Sequence, residues 1–495
     1  MKKMLPIVSF LLSMPLIAQG VEFQTPGAMG MGGAGVARNN GSLTAYWNPA
    51  AGAFSKSSFA LNAGVGAGIR GSDGLAENID RLSNIDFDKV KNFNTTTAGV
   101  NEVGDVVKTL SIVNDISTRQ GNIAINVIAP VSISIKNISF GIYGGLEGYV
   151  MPVADMINIL PNTQVAGEAL TVAGLANAAG TGNTASGYFS ATQLATLTAA
   201  ISAKDPSVNA TELANAIDTQ LKGSGIDPAT ALLTITDKTL PVLTAHGTNT
   251  LDKNTTSVMT KAFQYIEIPV SYGHPFDIGK KGKLGLGITG KVISGTVYQN
   301  EMLLVNRPDN VDAKEIINDI TNNKKSSSAI GIDIGALYKY ENWLNIGLVA
   351  KNINSPKFEG PVYQDTVTAG SVQSSAVELK PQVRTGVAIE PAGWVSLAAD
   401  LDLTENETVS PGSLVGSSIK SRNFGGGVEF SPASWLKVRG GAYKNLAVSN
   451  GNVLTAGFKF FLLDVDGAFA TDTFSIDGHE LPKEIKVNAA MSFSF

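Results

Sequence analysis

The chain has 495 residues, no cysteine, 37 Lys and Arg against 42 Asp and Glu, and a formal charge of −5. The missing thiols exclude a disulfide framework and a thiolate metal site, and the acidic balance argues against a nucleic-acid surface. Glycine is abundant at 53, and mean hydropathy is only slightly positive. A membrane barrel can look this nearly soluble, because only alternate residues of its strands meet lipid.

Lys2 and Lys3 form a short basic start, Met4 to Ile17 is apolar, and Ala18-Gln19-Gly20 supplies small residues at a cleavage position. Residues 1–20 therefore read as a secretory signal peptide. Its removal takes two lysines and moves the charge from −5 to −7. No later run reaches the roughly 18 apolar residues of a spanning helix. An exported chain of this kind is periplasmic, secreted or a barrel.

Residues 21–57 are rich in glycine. Gly30-x-Gly32-x-x-Gly35 matches a dinucleotide fingerprint by letters, but no strand-and-helix unit surrounds it, and no cofactor is expected. Gly30, Gly32, Gly33 and Gly35 instead let backbone pack closely in a narrow space. Trp47, Asn48, Pro49 and Ala50 follow, with Asn48-Pro49 a turn signal. The segment reads as a plug.

About fourteen amphipathic strands follow, near 58–70, 121–135, 138–150, 258–275, 283–299, 327–340, 343–353, 380–390, 394–404, 419–430, 435–444, 453–462, 463–472 and 484–495. Their connections alternate between long and short. Lys136-Asn137, 276–282, Glu341-Asn342, 391–393, 431–434 and a turn near Leu462-Leu463 are short; the others are long, above all 71–120 and 151–257. Outer-membrane barrels have short periplasmic turns and long extracellular loops. The rhythm puts both termini in the periplasm of a Gram-negative cell and the long insertions outside.

Both insertions read as helical. In 191–201 and 212–221 apolar residues recur at helical spacing. Such a cap could form an apolar groove for a ligand, could dock an envelope protein through 151–257, or could pack on itself and shield the mouth.

Strand faces carry a mixed set of polar-side charges: Glu267, Lys291, Lys351, Arg384, Glu390, Asp400, Asp402, Glu429, Lys437, Arg439, Lys459, Asp464 and Asp466. Mixed signs in a low-dielectric interior want partners, which implies a paired and filled lumen unless the charges are simply wet. Trp343, Trp394 and Trp435 each follow a short turn, and so belong at the periplasmic rim. Their parity gives them the lumen-side register, against the plug, unless the turn reorients them. In the last strand Ile485, Val487, Ala489, Met491, Phe493 and Phe495 share one face. A soluble sandwich edge could show this pattern, but it also suits a lipid-facing strand. Its aromatic end resembles the sorting signal of bacterial outer-membrane barrels, which makes outer-membrane lipid and the barrel-assembly machinery its expected partners.

The glycine-rich start and Asn48-Pro49-Ala50 resemble the FadL-like family of outer-membrane transporters for hydrophobic compounds. That resemblance implies a fourteen-stranded barrel whose N-terminal segment folds inward as a hatch. More narrowly, Pro269–Gly273, Gly347–Pro356, Pro381–Gly386 and Ala399–Thr404 look like the conjugal-transfer TraF family of barrel proteins. The resemblance covers roughly 21–70 and 258–495.

The reading is therefore an all-β transmembrane barrel of about fourteen antiparallel strands at 58–495, with an N-terminal lumen plug at 21–57 and helical extracellular insertions. His246, His274 and His479 are widely spread without metal-ligand spacing, and no nucleophile elbow is present, so no enzyme is expected. Passive uptake of a hydrophobic small molecule, an envelope scaffold for conjugation or secretion, and a general diffusion pore remain as functions.

Overall fold

The computed structural model describes residues 28–38, 41–55, 57–72, 74–75, 78, 81, 85, 90, 100–119, 121–158, 170–243, 253–304, 322–365, 370–410, 419–433, 435–448, 451–476 and 479–495. The expected signal peptide lies outside them, as do His246 and most of 73–99.

Fourteen antiparallel strands form a closed barrel. They are β1 (Phe59–Ser72), β2 (Asn122–Ile135), β3 (Ile138–Val153), β4 (Ser257–Ile278), β5 (Gly282–Leu303), β6 (Lys324–Tyr340), β7 (Leu344–Lys351), β8 (Gln382–Ala392), β9 (Val395–Asp402), β10 (Asn423–Ala433), β11 (Leu436–Asn445), β12 (Val453–Phe460), β13 (Leu463–Ala470) and β14 (Glu484–Ser494). Each overlaps one of the expected strands. β14 pairs with β1 from Ala60↔Ser494 to Arg70↔Glu484. Closure removes the free edge that would otherwise invite association.

Period-two alternation sorts the faces. In β14, Ile485, Val487, Met491 and Phe493 are exposed, whereas Lys486, Asn488 and Ala490 are buried. Isoleucine, valine and phenylalanine stand out in the same way along β2, β3 and β5. This continuous apolar belt needs lipid, because a water-facing surface of that extent would aggregate. β4 and β5 each run 22 residues, about twice what a tilted strand needs to cross a bilayer. Their long-loop halves therefore rise beyond it.

Short turns gather at one end. Lys136, Glu341 and Phe461 take positive φ of 52°, 49° and 53° in these reversals, the cost of a tight hairpin. The long connections gather at the other end. Four small ribbons ornament them: Lys357–Phe358 with Val377–Glu378, Val362–Asp365 with Gly370–Gln373, Asn406–Glu407 with Lys420–Ser421, and Thr473–Ile476 with His479–Pro482. Strands of two to four residues are too short to show alternation in sequence.

The insertions fold into α1 (Val100–Arg119), α2 (Val172–Ala179), α3 (Ala191–Lys204), α4 (Ala210–Leu221) and α5 (Pro228–Thr234). Leu110 and Ile116, Leu175, Leu197 and Ile201, and Leu213 and Ile217 pack into one buried cluster. This is the self-packed alternative. Ser190 opens α3 with a complete capping box, the sequence signature of a helix start. Asp155 stitches the two ends of the longer insertion together by accepting from the amides of Ile157, Asn158 and Thr255 at 2.9, 3.1 and 2.9 Å.

Candidate functional site

Residues 28–38 and 41–54 lie inside the barrel and include four short helical pieces, Met29–Met31, Gly41–Leu43, Thr44–Trp47 and Pro49–Phe54. What lets a chain segment sit against the wall is the wall's own glycines. A Cβ at Gly287 would lie 2.2 Å from the Pro49 carbonyl carbon, one at Gly335 would lie 2.1 Å from Asn48 Oδ1, and one at Gly425 would lie 2.0 Å from the Gly32 carbonyl oxygen. Gly347 and Gly427 face the backbone of Val36 and Met31 at 2.6 and 2.8 Å. These glycines alternate with outward apolar residues, as in Leu284-Gly285-Leu286-Gly287-Ile288. A small residue at every second position was the sequence signal that something packs against this face.

The plug glycines divide by role. A Cβ at Gly30 would meet Asp466 Oδ1 at 2.5 Å, and one at Gly35 would meet the Trp47 ring at 2.5 Å. Gly32 is both tight and at φ 65°. Gly33 departs from the expectation of close packing: nothing lies within 4 Å of its missing Cβ, and its φ of 76° is what requires glycine.

Polar contacts pin the same segment. Asp400 Oδ2 accepts the amides of Gly35 and Val36 at 2.8 and 2.9 Å. Asn48, fully buried, donates to the carbonyls of Val36 and Ala336, each at 3.1 Å, and its Oδ1 accepts the Ala50 amide at 3.0 Å. It therefore joins plug, wall and the Pro49–Phe54 turn, where the sequence suggested only a turn. Gly32 N donates to Thr455 Oγ1 at 3.1 Å. Lys351 lies 3.8 Å over the Tyr46 ring, a favourable placement for a desolvated cation. Around Trp47 the apolar residues Ala28, Val36, Leu43, Tyr46, Tyr143 and Val349 pack into one filled cluster.

The lumen charges form networks. Arg439 donates to Glu429 at 2.8 Å, to Asp464 at 2.6 Å and to Asp466 at 3.3 Å. Glu429 also receives Arg38 of the plug at 2.8 Å and Lys437 at 2.9 Å. Three acids thus meet three cations. Lys291 bridges Glu267 at 3.2 Å and Asp333 at 3.1 Å, and Arg384 holds Asp402 at 2.7 Å. Lys459 is half-buried and bonds Ser492 Oγ. Glu390 is half-buried near the turn end of β8 and makes no ion pair among the described residues. Sequence reasoning missed Asp333, although it alternates with Ile330, Ile332 and Ile334. It also missed Arg38, whose partner comes from a distant strand.

The tryptophans correct the parity argument. Trp343, Trp394 and Trp435 are 43, 56 and 43 % exposed and do not touch the plug side. Trp394 stacks on outward Phe430 at 6.2 Å, Trp435 on Phe461 at 5.2 Å, and Trp343 meets Tyr340 edge-on. All three lie in turns rather than in strands, and register shifts at Ile389/Ala392 and Phe430/Ala433 also break strict alternation beside Trp394 and Trp435, which is how a bulge re-aims a side chain; the pairing beside Trp343 has no such shift. The rings form an outer aromatic girdle at the short-turn end. Phe495 joins it, 69 % exposed and stacked on Phe59 at 5.4 Å.

The sequence model of the family described as "F plasmid transfer operon, TraF, protein" matches residues 45–402. Among solved structures, the chain is similar to the Ralstonia pickettii toluene transporter TbuX, with 11% identity, 96% of this chain and 99% of that chain covered, and a TM-score of 0.43. It is also similar to the P. putida toluene transporter TodX (10%, 96% and 99%, 0.43) and to a Pseudomonas aeruginosa FadL homologue (11%, 97% and 99%, 0.40). No curated protein matches the chain.

Proposed function

The chain belongs to the F plasmid transfer operon TraF protein family, and we propose that it is an outer-membrane barrel that passes hydrophobic small molecules by passive uptake through a plugged lumen. The long loops face the cell exterior, the short turns and both termini face the periplasm, and residues 28–54 act as the hatch. The observation that carries this reading is the layering of the lumen. A segment seated on wall glycines lies within it. Toward the long-loop end lies an apolar layer of Phe263, Tyr265, Ile293 and Val297. A polar diffusion pore has no use for an apolar layer above a stopper, whereas an apolar solute gains by leaving water there.

The test is entry of a fluorescent apolar probe, N-phenyl-1-naphthylamine, into cells with and without the protein. Faster entry with the protein is the expected result. Equal rates would remove the uptake reading.

A second reading is favoured by the family match itself: a component of a transfer apparatus that docks a partner through the helical cap. Replacing residues 170–243 with a short linker would then lower transfer between cells while probe entry stays unchanged.

A further inference from the structure

Near the long-loop end, β4 turns Lys261, Phe263 and Tyr265 into the lumen at alternate positions, opposite Gln299, Val297 and Gly295 of β5. The ribbon Lys357–Phe358/Val377–Glu378, from the connection between β7 and β8, folds down onto this wall. Phe358 is fully buried, and its ring centroid lies 4.9 Å from that of Phe263. Gly295 makes the slot: a Cβ there would lie 2.6 Å from Phe358 Cδ1.

Lys261 sits on the same inward face and is 3 % exposed. Its ammonium donates to the Ser375 carbonyl at 2.9 Å and to Ser375 Oγ at 2.6 Å, and it meets no acid among the described residues. Ser374 Oγ bonds Gln299 beside it. A buried ammonium with neutral partners is poorly compensated, and a carboxylate would serve it better. Phe263, whose ring meets Phe358, lies two residues from Lys261, about 7 Å along the strand, and the Gly295 row lies two residues farther, a span that a short arylalkanoate covers together with the reach of the lysine side chain.

We propose that the Phe358 slot and Lys261 form a binding site for arylalkanoic acids, and that the chain fills it here with its own stand-ins, the Phe358 ring for the aryl group and Ser375 for the acid head. Binding requires the ribbon to lift, so it competes with the latch formed by Ser374 and Ser375. The inference rests on the reading of the lumen as a solute path.

The test is calorimetric binding of 3-phenylpropanoate and of uncharged propylbenzene to the full chain in detergent. Phe358→Ala removes the internal competitor and is expected to bind 3-phenylpropanoate about tenfold more tightly than the intact protein, because the share of open sites rises. Lys261→Met in that background is expected to abolish the preference for the acid over propylbenzene. An unchanged affinity in Phe358→Ala, or a preference that survives Lys261→Met, overturns the proposal. Should Phe358→Ala fail to reach the folded barrel, Ser374→Ala/Ser375→Ala keeps the ring and the Ser375 carbonyl bond but removes both hydroxyl bonds of the latch. It is expected to raise affinity by a smaller factor, and no rise there is equally fatal. Binding by these variants without probe entry through the intact barrel would sink the uptake reading and leave the site standing.

Discussion

The inward N-terminal segment and the helical insertions are held in opposite ways. The cap carries its own core: its helices bury leucine and isoleucine against one another, Ser190 caps the start of α3, and Asp155 ties the two ends of the longer insertion together. The N-terminal segment shares its core with the wall, Val36, Leu43, Tyr46 and Trp47 packing with Ile128, Tyr143 and Val349. It is shaped by the wall, through glycines that leave room for its backbone and through buried charges that reach it. A region that packs on itself can be exchanged or removed as a unit. A region that borrows its shape cannot be altered without changing what surrounds it.

The largest effect should come from Arg439→Met. It leaves Glu429, Asp464 and Asp466 buried without their shared cation, and breaking such a group costs about 3–5 kcal/mol. Urea unfolding in detergent checks this. A loss near zero would mean that these charges are wet after all. Next is Gly287→Ala, whose new methyl would collide with the Pro49 carbonyl and the Ala50 nitrogen of the plug. Overpacking of this kind costs about 1–3 kcal/mol, and it should fall on the plug alone. Thiol labelling at Ala34→Cys, buried in the intact protein, should rise while barrel unfolding hardly moves.

In the cap, Asp218 accepts the amides of Gly187 and Phe189 and the hydroxyl of Ser186 at 3.0, 2.6 and 2.8 Å. Burial alone would raise its carboxyl, but these hydrogen bonds outweigh burial and hold it below the ordinary 3.8. Its contribution is therefore full above that value and is lost as pH falls through the lower folded value. Asp218→Ala should cost about 1–2 kcal/mol, confined to hydrogen exchange in 186–221, and should remove this acid-dependent step. The smallest effect is an expected absence: a linker in place of 170–243 should leave labelling at Ala34→Cys as it was. An increase would show that the cap also holds the plug.

Much of the barrel was legible because alternation and loop length repeat along the chain. Fourteen strands and their order follow from local pattern, and the outward row of β14 can be read residue by residue. The tryptophans were misplaced because each lies in a turn, where strand parity no longer sets direction, and the bulges beside Trp394 and Trp435 leave no mark in the alternation on either side. The plug's glycines were visible, but the matching wall glycines lie hundreds of residues away, and only closure of the barrel brings Gly425 to Gly32. Asp400 was read as a lumen charge; that it caps the amides of Gly35 and Val36 depends on the same closure. Phe358 gave no signal, since a two-residue ribbon has no periodicity.

The most direct test of the account is ionic conductance of the purified protein in planar bilayers, compared with a variant lacking residues 28–54. The intact barrel should be nearly silent and the shortened one should conduct steadily. Equal conductance from both would contradict the assignment of this segment as the element that closes the lumen.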